Sequence, residues 1–186
     1  MYCIFGRDLP ALSLPKNHIL QEGVKNLELI DGKKFTSRVY ALLWNKACWL
    51  YHDGFVLVHG TQYTEDSTDY SIHIDHRGYH LPDSPVIMES LRSHPATSHQ
   101  WQRIRGVIEE LTPALQDCIN QSSRTSYTIL GIDFLTQKGG DIKILEINTM
   151  PNFIHSKKIN ETVNIGLFHA TMQKLLGFDD NRLEKM

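Results

Sequence analysis

The chain has 186 residues and a formal net charge of −2, with 41% hydrophobic and 22% charged residues. This length favours a single domain, and the composition is typical of a soluble globular protein. The near-neutral charge argues against a broad nucleic-acid interface, which needs a basic face. No apolar run approaches the ~20 residues of a membrane helix, so we expect neither a nucleic-acid partner nor a membrane span.

The three cysteines, Cys3, Cys48 and Cys118, are widely spaced and form no C-x-x-C pair. This spacing favours free thiols over a disulfide framework or a zinc site. Free thiols are typical of a reducing compartment, so we expect a cytoplasmic protein.

The first hundred residues predict strands followed by a long loop. Residues 1–18, with Pro10 and Pro15, predict a loop or a leader to an upstream segment. Three β-rich runs follow at 38–44, 48–51 and 55–58, and His52-Asp53-Gly54 predicts a hairpin turn between the last two. Residues 61–100 are polar and predict a loop with one short helix at 86–92.

The second half predicts two helices flanking two strands. Apolar residues recur at helical spacing from Ser98, and Pro113 is expected to kink or divide this helix. Runs at 127–135 and 142–147 predict strands joined by a turn at 138–140. A last helix from about Glu161 is expected to bury one apolar face and to stop at Gly177. The residues of that face are Ile165, Phe168, Met172 and Leu175.

These elements together predict an α+β fold, a largely antiparallel sheet packed with helices. Within the two later strands, Glu146 and Asn148 project from one face because side chains alternate along a strand. Asp133 lies on the neighbouring strand and can reach that face if the register allows. Two carboxylates and an amide oxygen among apolar neighbours suit Mg²⁺ completed by nucleotide phosphates. An ordinary solvent-facing hairpin explains the same residues equally well on spacing alone.

The run GIDFL (131–135) followed by ILEIN-x-x-P-N-F (144–153) resembles the metal-binding end of the ATP-grasp ligases. It is most similar to the tubulin–tyrosine ligase-like family. Further segments resemble that family in the same order, and the resemblance covers residues 19–178. They are ILQEGV (19–24), GKKFTSRVY (32–40), YHDG (51–54) and TDYSI (68–72).

The resemblance implies roles for particular residues. Asp133, Glu146 and Asn148 would bind Mg²⁺ that bridges the phosphates of ATP. Lys34 and Arg38 would face the phosphates or an acyl-phosphate intermediate. The adenine slot would be lined by Gln21, Glu22 and Val24.

The implied reaction is ATP-dependent ligation of a free amino acid to a protein or peptide acceptor, a tubulin tail being possible. The expected organisation is a leader or remnant of an upstream half at 1–18, a C-terminal ATP-grasp domain at 19–178 and a polar tail at 179–186. No glycine-rich phosphate loop occurs in the sequence, so an upstream half or complementing chain is an expected partner.

Departures from the family pattern leave an alternative open. Thr36 replaces an aspartate, Leu57 stands where a basic residue is expected with His59 the nearest candidate, and Asp69 replaces an asparagine. A non-catalytic, degenerate half that binds a protein or peptide is therefore a second hypothesis. A ligase similar to RimK or glutathione synthetase is a third, and the TDYSI segment and the closing helix favour the tubulin-ligase relatives over it.

Two further clusters of side chains are candidate sites. His73, His76 and His80 could ligate a metal on a helix, but Gly78 nearby and a missing further ligand favour a surface loop. The pair Lys157-Lys158 is most often a solvated pair, and it is also placed to contact an acidic peptide tail.

Overall fold

The computed structural model describes residues 20–74, 79, 81, 83–120 and 126–186, with only the backbone described at 118–120. The described residues form six strands and four α-helices, with a 3-10 turn and a π turn. The strands are β1 (Lys33–Trp44), β2 (Ala47–Gln62), β3 (Ile87–Ser90), β4 (Tyr127–Thr136), β5 (Ile142–Asn148) and β6 (Leu183–Lys185). The helices are α1 (Tyr70–His73), α2 (Trp101–Asn120), α3 (Lys157–Ile159) and α4 (Ile165–Leu175), with the 3-10 turn at Ser98–Gln100 and the π turn at Asn160–Asn164.

The strands form one antiparallel sheet in the order β3-β2-β1-β4-β5, and β6 pairs with β2. The α+β prediction is confirmed. The predicted polar tail, 179–186, includes β6 and so contributes to this sheet. No helix of the described chain is long and apolar enough to cross a membrane.

The predicted hairpin turn at His52-Asp53-Gly54 is wrong, because β2 runs unbroken through these residues. The turn between β1 and β2 lies at Asn45 and Lys46, which both have positive φ, at 50° and 61°. Gly54 instead lies at an irregularity in the β1–β2 pairing, where a Cβ atom would come 2.0 Å from the carbonyl oxygen of Arg38. Close backbone approach, not a turn, requires glycine there.

The short helix predicted at 86–92 is also wrong, because Ile87–Ser90 forms the edge strand β3. The run is four residues long, and apolar runs this short do not distinguish helix from strand by periodicity. The Asp53 carboxylate accepts hydrogen bonds from the Ser90 hydroxyl at 2.7 Å and from the Arg92 amide at 3.2 Å, which ties β2 to the end of this strand.

The predicted helix after Ser98 is confirmed as α2. Pro113 lies inside it without dividing it. The buried stripe of α2 covers one face of the sheet, so that the first core lies between this helix and the sheet. Its members include Val39, Ala41, Val56, Trp101, Ile104, Ile108, Leu130 and Ile132. Cys48 is a free, buried thiol of the same core.

The last helix begins at Lys157, earlier than predicted. Backbone angles stay helical through α3, the π turn and α4, so residues 157–175 form one continuous helix, the C-terminal helix. It covers the opposite face of the sheet and closes a second core. Its members include Tyr40, Leu42, Tyr51, Phe55, Ile159, Val163, Leu167 and Ala170.

The predicted apolar face of the C-terminal helix is wrong. Ile165, Phe168 and Met172 are 63%, 43% and 54% exposed, whereas Leu167 and Ala170 are fully buried. The spacing of apolar residues identified a stripe, but this helix is apolar on more than one side. Which side is buried depends on the sheet beneath it.

Candidate functional site

Three charged side chains form a row across the middle of the sheet. Arg38 on β1 pairs in register with Asp133 on β4, and Asp133 pairs with Glu146 on β5. The Arg38 guanidinium donates through Nε and Nη2 to the two carboxylate oxygens of Asp133, both at 2.6 Å. The sheet thus brings together one predicted phosphate-facing cation and two predicted metal ligands.

Asn148 completes the group at the end of β5. It lies opposite Gly131, one alternate position from Glu146. Its Nδ2 donates to Glu146 at 2.9 Å and to Asp133 at 3.4 Å. The β4–β5 pairing shifts register between Asp133 and Phe134, next to these contacts. Bulges of this kind change the direction of side chains next to functional sites. We call Asp133, Glu146 and Asn148 the carboxylate–amide trio.

The two carboxylates of the trio have different environments. Asp133 is 8% exposed, and burial raises its pKa while Arg38 opposes that change. Glu146 is exposed, and the hydrogen bond from Asn148 holds its pKa below the usual range. A buried and a solvent-facing carboxylate side by side form a negatively charged pair that one arginine compensates.

The donor chemistry of the trio fits a hard divalent cation. Carboxylate and amide oxygens are the ligands that Mg²⁺ takes, usually in small number with water and phosphate completing the shell. A half-turn of the Asn148 amide would present its oxygen to the same point as the two carboxylates. Among the described residues no cluster of three His, Cys, Asp or Glu side chains could hold a metal, so a cation at the trio would need the Asn148 amide as its third protein ligand.

Gly131 lets the segment after β5 pack onto the row. A Cβ atom there would lie 2.8 Å from the Pro151 Cβ and 3.6 Å from Arg38 Cδ and Nε. Pro151 therefore lies against β4 where β4 faces Asn148. Phe153, two residues later, stacks on Tyr40 with ring centroids 5.4 Å apart. These two contacts anchor the chain that leaves the trio.

Lys34 lies on the same face of β1 as Arg38, since they are four residues apart on one strand. Its Nζ donates to the carbonyl oxygen of His73, the last residue of α1, at 2.9 Å. This contact attaches the TDYSI segment to β1, and Asp69 caps α1 by accepting from the Ser71 amide at 2.9 Å. In the structure Lys34 thus supports α1.

Two of the residues that depart from the family pattern, Thr36 and Leu57, meet between β1 and β2. Thr36 is paired with Leu57, and Leu57 packs into the second core. His59, two positions further along β2, is 3% exposed. The position expected to hold a basic residue is therefore apolar and buried, and the basic candidate two positions along the chain is a buried histidine.

The chain just after the predicted adenine-lining segment runs beside the end of β4. Leu27 bridges Gln137, and the Glu28 amide donates to the Thr136 carbonyl at 2.8 Å. The residues named for the slot are mostly open to solvent, with Gln21 and Glu22 exposed and Val24 partly exposed. Their predicted role in adenine binding stays a prediction.

The structure describes the lysine pair and only part of the histidine cluster, so both stay predictions. Lys158 pairs with Glu89 at 2.7 Å and Lys157 lies 3.8 Å from Glu161, so each basic side chain has an acidic neighbour. His76 and His80 lie outside the described residues.

Two residues near the row were not singled out from the sequence. Tyr40 is fully buried two positions after Arg38. His155 is 8% exposed and packs against the Phe55 ring, with centroids 4.7 Å apart. Alternation along β1 could have placed Tyr40 on the face of Arg38. Nothing in the local sequence around His155 indicates its burial.

Comparison with known proteins identifies the family. The model of the tubulin-tyrosine ligase family matches residues 86–182, just over half of the chain. This match contains β3, α2, both strands of the trio and the C-terminal helix. The chain belongs to the tubulin-tyrosine ligase family.

Similar proteins carry names from the tubulin-tyrosine ligase family. The probable tubulin polyglutamylase TTLL9 of Mus musculus is 24% identical over 183 residues, covering 89% of this chain and 39% of its own length. The probable tubulin polyglutamylase TTLL9 of Bos taurus is 26% identical over 181 residues, covering 84% and 38%. A probable tubulin–tyrosine ligase of Schizosaccharomyces pombe is 23% identical over 173 residues, covering 88% and 43%. The chain spans about two fifths of the length of these relatives.

Proposed function

We propose that this chain is the metal- and nucleotide-binding part of an ATP- and Mg²⁺-dependent ligase that joins an amino acid to a protein acceptor. The carboxylate–amide trio beside Arg38 carries this proposal. Family membership and the names of the relatives support a tubulin-modifying type, with a tubulin tail as acceptor and glutamate as one candidate amino acid. A carboxylate oxygen attacks the γ-phosphate of ATP, which releases ADP and gives an acyl phosphate; an amine then attacks the acyl carbon and displaces phosphate to give the amide.

The residues of the row have separate tasks in this proposal. Asp133, Glu146 and Asn148 would hold Mg²⁺, which when bound neutralises phosphate charge. Arg38 supplies a second positive charge next to the point where phosphate oxygens would lie. Gly131 and Pro151 fix the backbone on which these side chains stand.

The experiment that tests the proposal is a titration of the chain with Mg²⁺ and a non-hydrolysable ATP analogue, read as the thermal midpoint of unfolding. A ligand that binds only the folded state raises this midpoint. We expect a rise that requires both components and that Asp133→Asn abolishes. The matched control is Asp141→Asn in the exposed β4–β5 turn, which should keep the rise. No shift in the wild-type chain at millimolar nucleotide would contradict the proposal.

A second candidate is a non-catalytic member that binds a protein or peptide. Leu57 favours it, because an apolar and buried side chain stands where the family pattern has a basic residue. In that case Glu146→Gln should leave binding of an acidic tubulin-tail peptide unchanged. For the ligase, the same variant should remove amino-acid transfer in the complete protein and leave its unfolding midpoint near the wild-type value.

A further inference from the structure

The hydroxyl of Tyr40 is buried beside the row and has no hydrogen-bond partner in the described part of the chain. Tyr40 is fully buried, its ring stacked on Phe153 and tilted against Phe55. An unpaired buried hydroxyl is unfavourable, and such groups in native structures call for an explanation.

Two charged groups act on this hydroxyl, Arg38 and Asp133. Arg38 lies within hydrogen-bonding reach of the hydroxyl. Its Nε and Nη2 donate to Asp133, and the contact with the hydroxyl does not meet the geometry of a hydrogen bond. Burial raises the pKa of Tyr40 far above its ordinary range, so the side chain remains a neutral phenol. A neutral phenol oxygen can accept a hydrogen bond from a guanidinium.

Arg38 and a divalent cation would compete for the same carboxylate. Both oxygens of Asp133 accept from Arg38 in the structure. A cation ligated by Asp133 would share those oxygens with the positively charged guanidinium of Arg38. Repulsion between the two positive charges disfavours the paired hydrogen bonds from Arg38 to Asp133. Gly131 places no side chain against Arg38, whose Cδ and Nε would lie 3.6 Å from an added Cβ atom, and the Phe55 ring lies 5.7 Å from the guanidinium carbon. The Tyr40 hydroxyl is an acceptor beside Arg38 that no other group among the described residues uses.

We propose that Tyr40 is a positioning residue for Arg38: when Asp133 turns an oxygen toward Mg²⁺, the guanidinium hydrogen-bonds to the Tyr40 hydroxyl. Arg38 is thereby retained at the row, facing the phosphates. This inference rests on the proposed function, because it needs Mg²⁺ at the trio. The hydroxyl therefore stabilises the Mg²⁺-bound arrangement more than the arrangement in which Arg38 pairs with Asp133.

The test is Tyr40→Phe, which removes only the hydroxyl, with Tyr51→Phe as the matched control. Tyr51 is 1% exposed and belongs to the same core. Mg²⁺ affinity is measured by calorimetric titration, and the ¹⁵Nε shift of Arg38 reports its hydrogen bonding. We expect Tyr40→Phe to keep the unfolding midpoint of the wild type without Mg²⁺. We expect it to bind Mg²⁺ about tenfold more weakly, the effect of one hydrogen bond to a charged group.

The outcomes separate this inference from the function on which it rests. Wild-type affinity for Mg²⁺ in Tyr40→Phe, or an Arg38 shift on Mg²⁺ addition that is the same in both proteins, overturns the role of Tyr40 alone. A midpoint several degrees lower without Mg²⁺ also overturns it, since the hydroxyl would then stabilise the arrangement already present. If the wild type takes up no Mg²⁺, the proposed function and this inference fail together.

Discussion

Arg38 and Asp133 stabilise each other only as a pair. Their side chains are 16% and 11% exposed, so each charge depends on the other for compensation. Replacing Arg38 with Gln leaves Asp133 buried beside Glu146. Because a buried charge without its partner is costly, we expect the free energy of unfolding at pH 7 to fall by about 3 kcal/mol. Urea denaturation followed by circular dichroism measures this change.

A double variant and a surface control distinguish the contribution of the Arg38–Asp133 pair from the general effect of removing an arginine. Arg38→Gln/Asp133→Asn should recover at least half of the loss, because it removes the orphaned carboxylate as well. Arg105→Gln breaks the exposed pairs with Glu184 and Glu109 and should cost less than about 1 kcal/mol. Equal losses in the single and double variants would show that Asp133 does not depend on Arg38.

Gly131 is a second residue whose identity the structure explains. The Cβ atom of Gly131→Ala would lie 2.8 Å from the Pro151 Cβ, closer than such atoms approach. We expect a loss of about 1–3 kcal/mol in unfolding free energy, the usual cost of overpacking. Gly106→Ala in α2 is the control, because nothing lies within 4 Å of its new Cβ. That variant should stabilise the protein by up to about 1 kcal/mol, and a loss in both variants would point to a general effect of replacing glycine.

At the scale of elements, the C-terminal helix shows how packing selects one face of an apolar helix. Leu167 is fully buried against the sheet, whereas Ile165 is 63% exposed. We expect Leu167→Ala to cost about 2–5 kcal/mol and Ile165→Ala to change stability by no more than about 0.5 kcal/mol. Paired thermal and urea unfolding of the two variants measures the difference. A larger loss for Ile165→Ala would mean that the face predicted from spacing is the buried one after all.

The β1–β2 hairpin shows that a local sequence motif can also predict a turn at the wrong place. Asp-Gly between apolar runs is a strong hairpin signal, yet the turn lies at Asn45 and Lys46. Lysine rarely adopts positive φ, so its presence there hid the turn. Gly54 allows β2 to approach the backbone of Arg38 closely. Asp53 accepts a hydrogen bond from Ser90 at the end of β3. The YHDG motif therefore supports the row through the backbone of the strands next to Arg38.

At the scale of the whole molecule, His155 links the segment after the trio to the C-terminal helix. Its Nδ1 pairs with the Asn164 amide nitrogen at 2.9 Å, and Asn164 belongs to the π turn. A backbone hydrogen bond joins the imidazole to Asn152, just after Pro151. The second core, the exit from β5 and the π turn thus meet at one buried imidazole.

The burial of His155 makes the stability of the molecule depend on pH. Burial lowers its pKa below the ordinary value of 6.5, with Arg38 acting in the same direction. Because the unfolded chain takes up this proton at a higher pH than the folded chain, the contribution is present above about pH 6.5 and is lost as the pH falls through the folded pKa. The free energy of unfolding should therefore decrease from pH 7 toward pH 5.

Variants assign this pH dependence. His155→Gln should have a shallower decrease than the wild type, and His52, whose pKa burial also lowers, should account for part of what is left. His99→Gln is the control, because His99 is exposed. Urea unfolding at half-unit pH steps measures the slopes. An unchanged slope in His155→Gln would exclude His155 as the group responsible.

Local patterns in the sequence determined the helix over 101–120, the strand pair that carries Asp133, Glu146 and Asn148, and the α+β class. Each depends on side-chain periodicity within one element or across a short turn, which the sequence contains directly. The family resemblance rests in part on the same strand pair.

Only the tertiary structure decided how distant elements meet. Arg38 and Asp133 are 95 positions apart in the chain, and their contact exists because β1 pairs with β4 in one register out of several. The same assembly decides three further features. They are the buried face of the C-terminal helix, the hydrogen bond from Lys34 to the end of α1, and the Tyr40 hydroxyl that lacks a hydrogen-bond partner among the described residues. Periodicity specifies which residues share a face, whereas the partner of that face is set by packing and by register between segments far apart in sequence.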